Sequence, residues 1–196
     1  MEPTSGQVVI TNKEKEQITE KEVLKKYIGY LSENTKLYGR FTVREMLLLF
    51  GELYGFSKEE TSAQVEKMCG LLQMETFIDN RIEKLSTGQK QRTSIARCLV
   101  HNPDIYIFDE PTLGLDIISS KAIIDFMKQE KARGKSVLYS THYMEEAEFL
   151  CDRIIMIDKG KIIASGTPQQ LKEATGTGNL RDTFFAYMEG GIQDEL

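Results

Sequence analysis

A chain of 196 residues with 40% apolar and 28% charged side chains has the length and composition of one globular domain with a real core. The net charge of −5 and the lack of any basic run argue against a nucleic-acid binder. Three scattered cysteines, Cys69, Cys98 and Cys151, form no disulfide framework and read as reduced thiols. In chain order, residues 2–6 are a turn and residues 7–11 a short strand. Residues 12–26 are highly charged and read as a surface connection with a short helix near residues 20–24. Tyr, Ile and Leu predict a strand over residues 26–31, followed by a loop to residue 41. Val43, Met46, Leu47, Phe50 and Tyr54 fall at helical spacing, with Thr42 as N-cap and Glu45 at the capping-box position. Ser57 and Glu60 repeat that start signal for a helix to about residue 72, with Val65, Met68 and Leu72 on one face. The longest apolar run, residues 46–50, is far too short to span a bilayer, and no basic-then-apolar signal opens the chain. Any membrane role would pass through a partner.

The helix that follows Ser86 carries Ile95 and Leu99 inward and stops at Asn102-Pro103. Residues 104–108 form a short, nearly continuous apolar run, as in strands buried on both faces of a parallel sheet. Residues 117–133 read as a helix with Ile123, Ile124 and Met127 on one face and Gly134 as its stop. A strand over Ser136–Ser140, a helix over residues 144–151 and a strand over residues 153–157 come next. Asp158-Lys159-Gly160-Lys161 is a hairpin turn into a strand over residues 162–165, and helices over residues 168–174 and 180–188 close the chain. Strands alternating with helices predict an α/β fold with a largely parallel sheet, the late hairpin excepted. No internal repeat is visible.

Chemistry concentrates in residues 85–110. Leu85-Ser86-Thr87-Gly88-Gln89-Lys90-Gln91-Arg92 opens a helix, and Ile105-Tyr106-Ile107-Phe108-Asp109-Glu110 closes the following strand on two acids. Ser86 can cap the helix, and Gly88 lets a backbone approach a phosphate. An open helix N-terminus attracts anions, because its first N–H groups lack partners and the dipole favours negative charge. An apolar strand ending in Asp-Glu places carboxylates at a sheet edge, where they can hold a metal and a water. An anion site beside metal-bearing carboxylates points to nucleotide phosphate chemistry.

In this order and spacing the two pieces resemble the ATP-binding subunits of ABC transporters. Residues 85–89 are similar to that family's signature motif and residues 105–110 to its Walker B strand. The resemblance implies a P-loop NTPase-like, three-layer α/β domain with a mostly parallel sheet. It implies a helical subdomain over residues 38–84, which would dock on the membrane subunit. Residues 85–196 would carry the signature, Walker B, D-loop, switch histidine and C-terminal part. Ser86, Thr87, Gly88 and Gln89 would contact the γ-phosphate of ATP held by a second ATP-binding subunit, so the chemistry implies a homo- or heterodimer. Asp109 would hold Mg²⁺, and Glu110 would polarise the attacking water. Leu113-Gly114-Leu115-Asp116 resembles the D-loop, with Asp116 helping to join the two sites. His142, after strand Ser136–Ser140, matches the switch histidine that reports the γ-phosphate. Glu33 stands where the family usually has Gln, and its carboxylate can still meet Mg²⁺ or a bound water.

The phosphate-binding loop Gly-x-x-x-x-Gly-Lys-Ser/Thr does not occur in these residues. Gly134-Lys135-Ser136 imitates its tail, but Gln129 stands at the first Gly and the order is helix then strand. The opening turn, residues 1–6, resembles the turn just after the Walker A helix. The expectation is therefore a subunit truncated at its N-terminus, its first strands and P-loop missing and this chain alone inactive. The subtype it resembles is the sodium- and drug-exporting one, at the cytoplasmic face of a polytopic membrane partner. Two alternatives stand beside it: a soluble ABC ATPase of translation or repair, and a non-catalytic remnant that pairs with an intact subunit.

Overall fold

The computed structural model describes residues 4–6, 9–11, 17–18, 21–32 and 36–190. The chain divides into two compact units, Met1–Ser140 and Thr141–Leu196. The first unit begins with β1 (Ile10–Thr11) and β2 (Gln17–Ile18), an antiparallel pair, followed by α1 (Lys21–Tyr27) and β3 (Ile28–Leu31). The charged connection thus holds a strand that its composition does not announce. The helix α1 reaches Tyr27, so the strand read over residues 26–31 starts two residues late. Of the strand read over residues 7–11, residues 7 and 8 lie outside the described residues.

Next come α2 (Val43–Leu53) and α3 (Lys58–Leu71), which begin where their caps predict. The Thr42 hydroxyl accepts from Glu45 N–H at 3.1 Å while Glu45 Oε2 accepts from Thr42 N–H at 2.8 Å. Ser57 and Glu60 make the same reciprocal pair, which satisfies two orphan donors at each helix start. Val43, Met46, Leu47, Val65, Met68 and Leu72 are all buried, as their spacing predicts. Tyr54 is an exception: it is half-exposed and stacks on the buried His101 ring at 3.8 Å and 4°.

A short 3₁₀ turn, Ile82–Lys84, leads into α4 (Thr87–Leu99), then β4 (Ile105–Asp109), α5 (Ile117–Ala132) and β5 (Ser136–Ser140). The three longer strands form a parallel sheet in the order β3-β4-β5. Helix α4 packs very tightly on β3. A Cβ on Gly29 would lie 2.5 Å from Leu99 Cδ2 and 2.8 Å from the Cys98 carbonyl oxygen. The sheet buries one face only. Tyr106 and Phe108 are buried, with Tyr106 stacked between Phe108 and Phe126, whereas Ile105 and Ile107 are half-buried. The apolar run over residues 104–108 therefore alternates, and is not covered on both sides. Beneath Tyr106, the buried Glu130 carboxylate accepts from the Tyr106 hydroxyl and from Arg133, each at 2.5 Å. Such pairing offsets the desolvation of a buried acid.

The second unit contains α6 (Met144–Leu150), the antiparallel hairpin β6 (Ile154–Asp158) and β7 (Lys161–Gly166), α7 (Pro168–Thr175) and α8 (Leu180–Gly190). Lys159 and Gly160 have φ +46° and +76°, the pair of left-handed residues that a two-residue hairpin turn requires. Its core is Ala147, Ile154, Met156, Ala164, Leu171, Leu180 and Tyr187.

Candidate functional site

The start of α4 and the turn after β4 hold most of the residues that sequence reading singled out. At the start of α4, the Ser86 hydroxyl accepts from Gln89 N–H at 3.3 Å and Gln89 Oε1 accepts from Ser86 N–H at 3.0 Å. The Gln89 side chain is thus part of the cap. Thr87 and Gly88, at the first two helical positions, have N–H groups with no intrahelical acceptor, and Ser86 and Thr87 are exposed. This is the geometry that receives an anion. Gly88 has a second physical reason to be glycine. A Cβ there would lie 2.2 Å from Ser119 Oγ and 2.8 Å from Ser119 Cβ, so the start of α4 presses on the first turn of α5.

Asp116 is the N-cap of α5. Its carboxylate accepts from Ile118 N–H at 3.0 Å, Ser119 N–H at 2.9 Å and the Ser119 hydroxyl at 2.7 Å. The Ser119 donors, with Ile118 N–H, hold its carboxyl below the usual range. Asp116 therefore has a local capping role that the sequence reading does not give it, and Ser119 joins it to Gly88.

At the end of β4, Asp109 is exposed and pairs in register with Ser140 on β5. The Ser140 hydroxyl donates to Asp109 Oδ1 at 2.6 Å. Glu110 follows with φ +47°, a left-handed conformation rare for a residue with a Cβ. Its N–H donates to the Ser140 carbonyl at 3.1 Å, and its carbonyl accepts from Leu113 N–H at 3.2 Å. Gln91 Nε2, one turn into α4, donates to the Pro111 carbonyl at 2.8 Å. The two halves of the site are thereby tied together within the first unit.

Glu33 lies outside the described residues. His142 belongs to the second unit, where it is exposed and its ring lies 4.1 Å from that of Tyr143. Ser140, Gln91 and Ser119 are the residues that sequence reading missed. Ser140 becomes visible only through strand register, and Gln91 and Ser119 only through helix contacts.

Asp109 is a hard oxygen donor of the kind Mg²⁺ prefers. Among the described residues no group of three or more His, Cys, Asp or Glu side chains converges to hold a metal. Asp109 would offer such a cation one carboxylate, with phosphate oxygens and water as the remaining donors. The helix start, with Ser86 and Thr87 exposed and Gly88 buried, suits an anion, while a glycine-rich phosphate loop is not part of residues 1–196.

A family model described as "ABC transporter" matches residues 1–113. The chain is 38% identical over 193 residues to the ABC transporter ATP-binding protein NatA of Bacillus subtilis (strain 168), covering 98% of this chain and 78% of that protein. It is 40% identical over 147 residues to the Nod factor export ATP-binding protein I of Burkholderia lata, covering 75% of this chain and 48% of that protein. It thus spans about half the length of the second relative. Among solved structures it is similar to the dimeric, post-hydrolysis ATP-binding cassette MJ0796 bound to ADP and Pi. That likeness has a TM-score of 0.70 at 26% identity, over 85% of this chain and 75% of the other.

Proposed function

The chain belongs to the ABC transporter family, as an ATP-binding protein with that family's α/β fold, and from that premise we propose that it powers an exporter by hydrolysing MgATP across a dimer of ATP-binding subunits. The observation that carries the reading is the Asp109-Glu110 pair at the end of a parallel strand, clamped from β5 by Ser140. Asp109 would contribute the protein's carboxylate to Mg²⁺, which supplies charge neutralisation on the phosphates when bound. Glu110 is the base that orients and deprotonates the attacking water, and its strained backbone is a feature met at sites where a side chain must be aimed. Ser86, Thr87, Gly88 and Gln89 face the γ-phosphate held by the second subunit, and Asp116 stands at the junction between the sites. His142 would sense the γ-phosphate from the loop after β5, and by the family resemblance Glu33 would meet Mg²⁺ or its water.

The names of the relatives support export: one is a Nod factor export protein. No helix among the described residues is long and apolar enough to cross a membrane. The chain would act at the cytoplasmic face through a polytopic membrane partner, with the helices of residues 38–84 as its docking part. The test is ATP turnover by the transporter that contains this chain. Glu110→Gln should still bind ATP and hold the dimer closed while turnover falls about 10²- to 10⁴-fold, the usual contribution of a positioned base. Turnover near the unmutated rate would remove Glu110 from the role.

A further inference from the structure

The turn after β4 is the place where a side chain with chemistry sits on strained backbone. Glu110 at φ +47° persists only if its surroundings over-determine it. Two of the restraints are backbone bonds, Glu110 N–H to Ser140 and Leu113 N–H to Glu110, which almost any sequence could form. A third is a side-chain pair, Thr112 Oγ1 and the Tyr139 hydroxyl at 3.4 Å. The fourth comes from another element: Gln91 Nε2 donates to the Pro111 carbonyl at 2.8 Å.

Pro111 follows Glu110 directly, is buried, and has its φ fixed by its ring. Holding its carbonyl fixes the Pro111–Thr112 peptide plane, one residue beyond Glu110, and with the fixed φ of Pro111 the direction in which the turn leaves the sheet. Gln91 is two residues past Gln89, so the helix that caps itself at Ser86 and presents the Thr87 and Gly88 N–H groups also carries the donor. Gly88 pressing on Ser119 gives the helix start a second, independent hold on the segment after the turn. A displacement of the start of α4 is therefore carried to the Pro111–Thr112 peptide of the Glu110 turn by the Gln91 hydrogen bond.

We infer that Gln91 is a positioning residue for Glu110, tying the carboxylate turn to the helix start that faces the opposite nucleotide. This rests on the reading of Glu110 as the base, and the experiment separates the two. Amide hydrogen exchange in the full chain reports the turn directly. Gln91→Met keeps length, volume and helix propensity but has no donor. Glu110 and Leu113 N–H should exchange about tenfold faster in that variant, the scale of one lost hydrogen bond, while the amides of β4 stay as they are. Gln91→Lys, which keeps a donor of similar reach, should hold the original protection. If Gln91→Met loses the fold, Gln91→Ala makes the same comparison.

A packing role gives the opposite pattern, with Met protecting and Lys exposing the turn, and that pattern or unchanged exchange in Gln91→Met overturns the tie. In the ATP-hydrolysing transporter, Gln91→Met should lower kcat about tenfold with KM within about twofold, the signature of an interaction that serves the chemical step. Faster exchange with unchanged kcat would instead overturn Glu110 as the base and leave the tie standing.

Discussion

At the scale of single residues, Glu110 shows how chemistry and stability pull apart. A left-handed backbone costs an L residue about 1–2 kcal/mol, a penalty glycine escapes. Glycine in turn loses about 0.5–1 kcal/mol to the greater freedom of its unfolded chain. The balance at φ +47° favours glycine, so Glu110→Gly should stabilise the chain by about 0.5–1 kcal/mol, read as a higher urea midpoint at unchanged slope. The same substitution removes the carboxylate and should abolish turnover in the transporter. A midpoint that falls would mean that the Glu110 side chain contributes more to the fold than its backbone costs. The contrast with Gly88 is instructive. Both positions read plainly as motif residues, yet Gly88 is helical and owes its small size to Ser119, a neighbour 31 residues away that no local spacing reveals.

Helices and strands were legible to the extent that their signals are local. Thr42, Ser57 and Ser86 each predict a helix start that the structure places one residue later, because a cap and its partner three residues on are written side by side. The α/β order and the parallel sheet follow from alternation alone. Strand β2 was not legible, since Gln17 and Ile18 pair with β1 for reasons of tertiary contact and carry no periodicity over two residues. Nor was the half-covered state of β4, because a continuous apolar run is the same string whether one face or both are packed. A very close contact between elements is also silent in the sequence. Gly29 looks like any glycine in a strand, yet α4 lies against it so closely that a Cβ would meet Leu99 and the Cys98 carbonyl well inside contact distance. The Cys98 carbonyl belongs to helical backbone and cannot rotate aside. Gly29→Ala should therefore destabilise the chain by about 1–3 kcal/mol, the range for overpacking a core, despite the better strand entropy of alanine. A thermal midpoint equal to that of the unmutated chain would show that α4 shifts freely on β3 and that the close approach at Gly29 is not rigid.

At the scale of the whole molecule, charge and sheet edges decide what residues 1–196 can do as a polypeptide by themselves. Strand β5 pairs with β4 on one side and with no other strand among the described residues. Tyr30, Ile107 and Leu138 lie in one register row across the sheet, with Tyr30 57% and Leu138 64% exposed. An open edge beside an apolar row is the kind of surface that takes up another strand. The electrostatics run the other way for a nucleotide. The chain carries a net charge of −5, and Asp109 and Glu110 stand together at the strand end. A triphosphate needs a cradle of N–H donors and a cation to offset its charge, and no Gly-x-x-x-x-Gly-Lys-Ser/Thr occurs here to supply them. The open N–H groups of Thr87 and Gly88 are one helix end, and in the proposed dimer they serve the nucleotide of the other subunit. Polypeptide 1–196 should accordingly show neither micromolar binding of MgATP by titration calorimetry nor steady phosphate release. Mixed with a subunit that carries its own phosphate loop, it should raise that subunit's turnover, and Ser86→Ala together with Gly88→Asp should cancel the gain. Micromolar binding with steady turnover by polypeptide 1–196 alone would require a phosphate site built from other residues, and would overturn the division of labour between the two halves of the dimer.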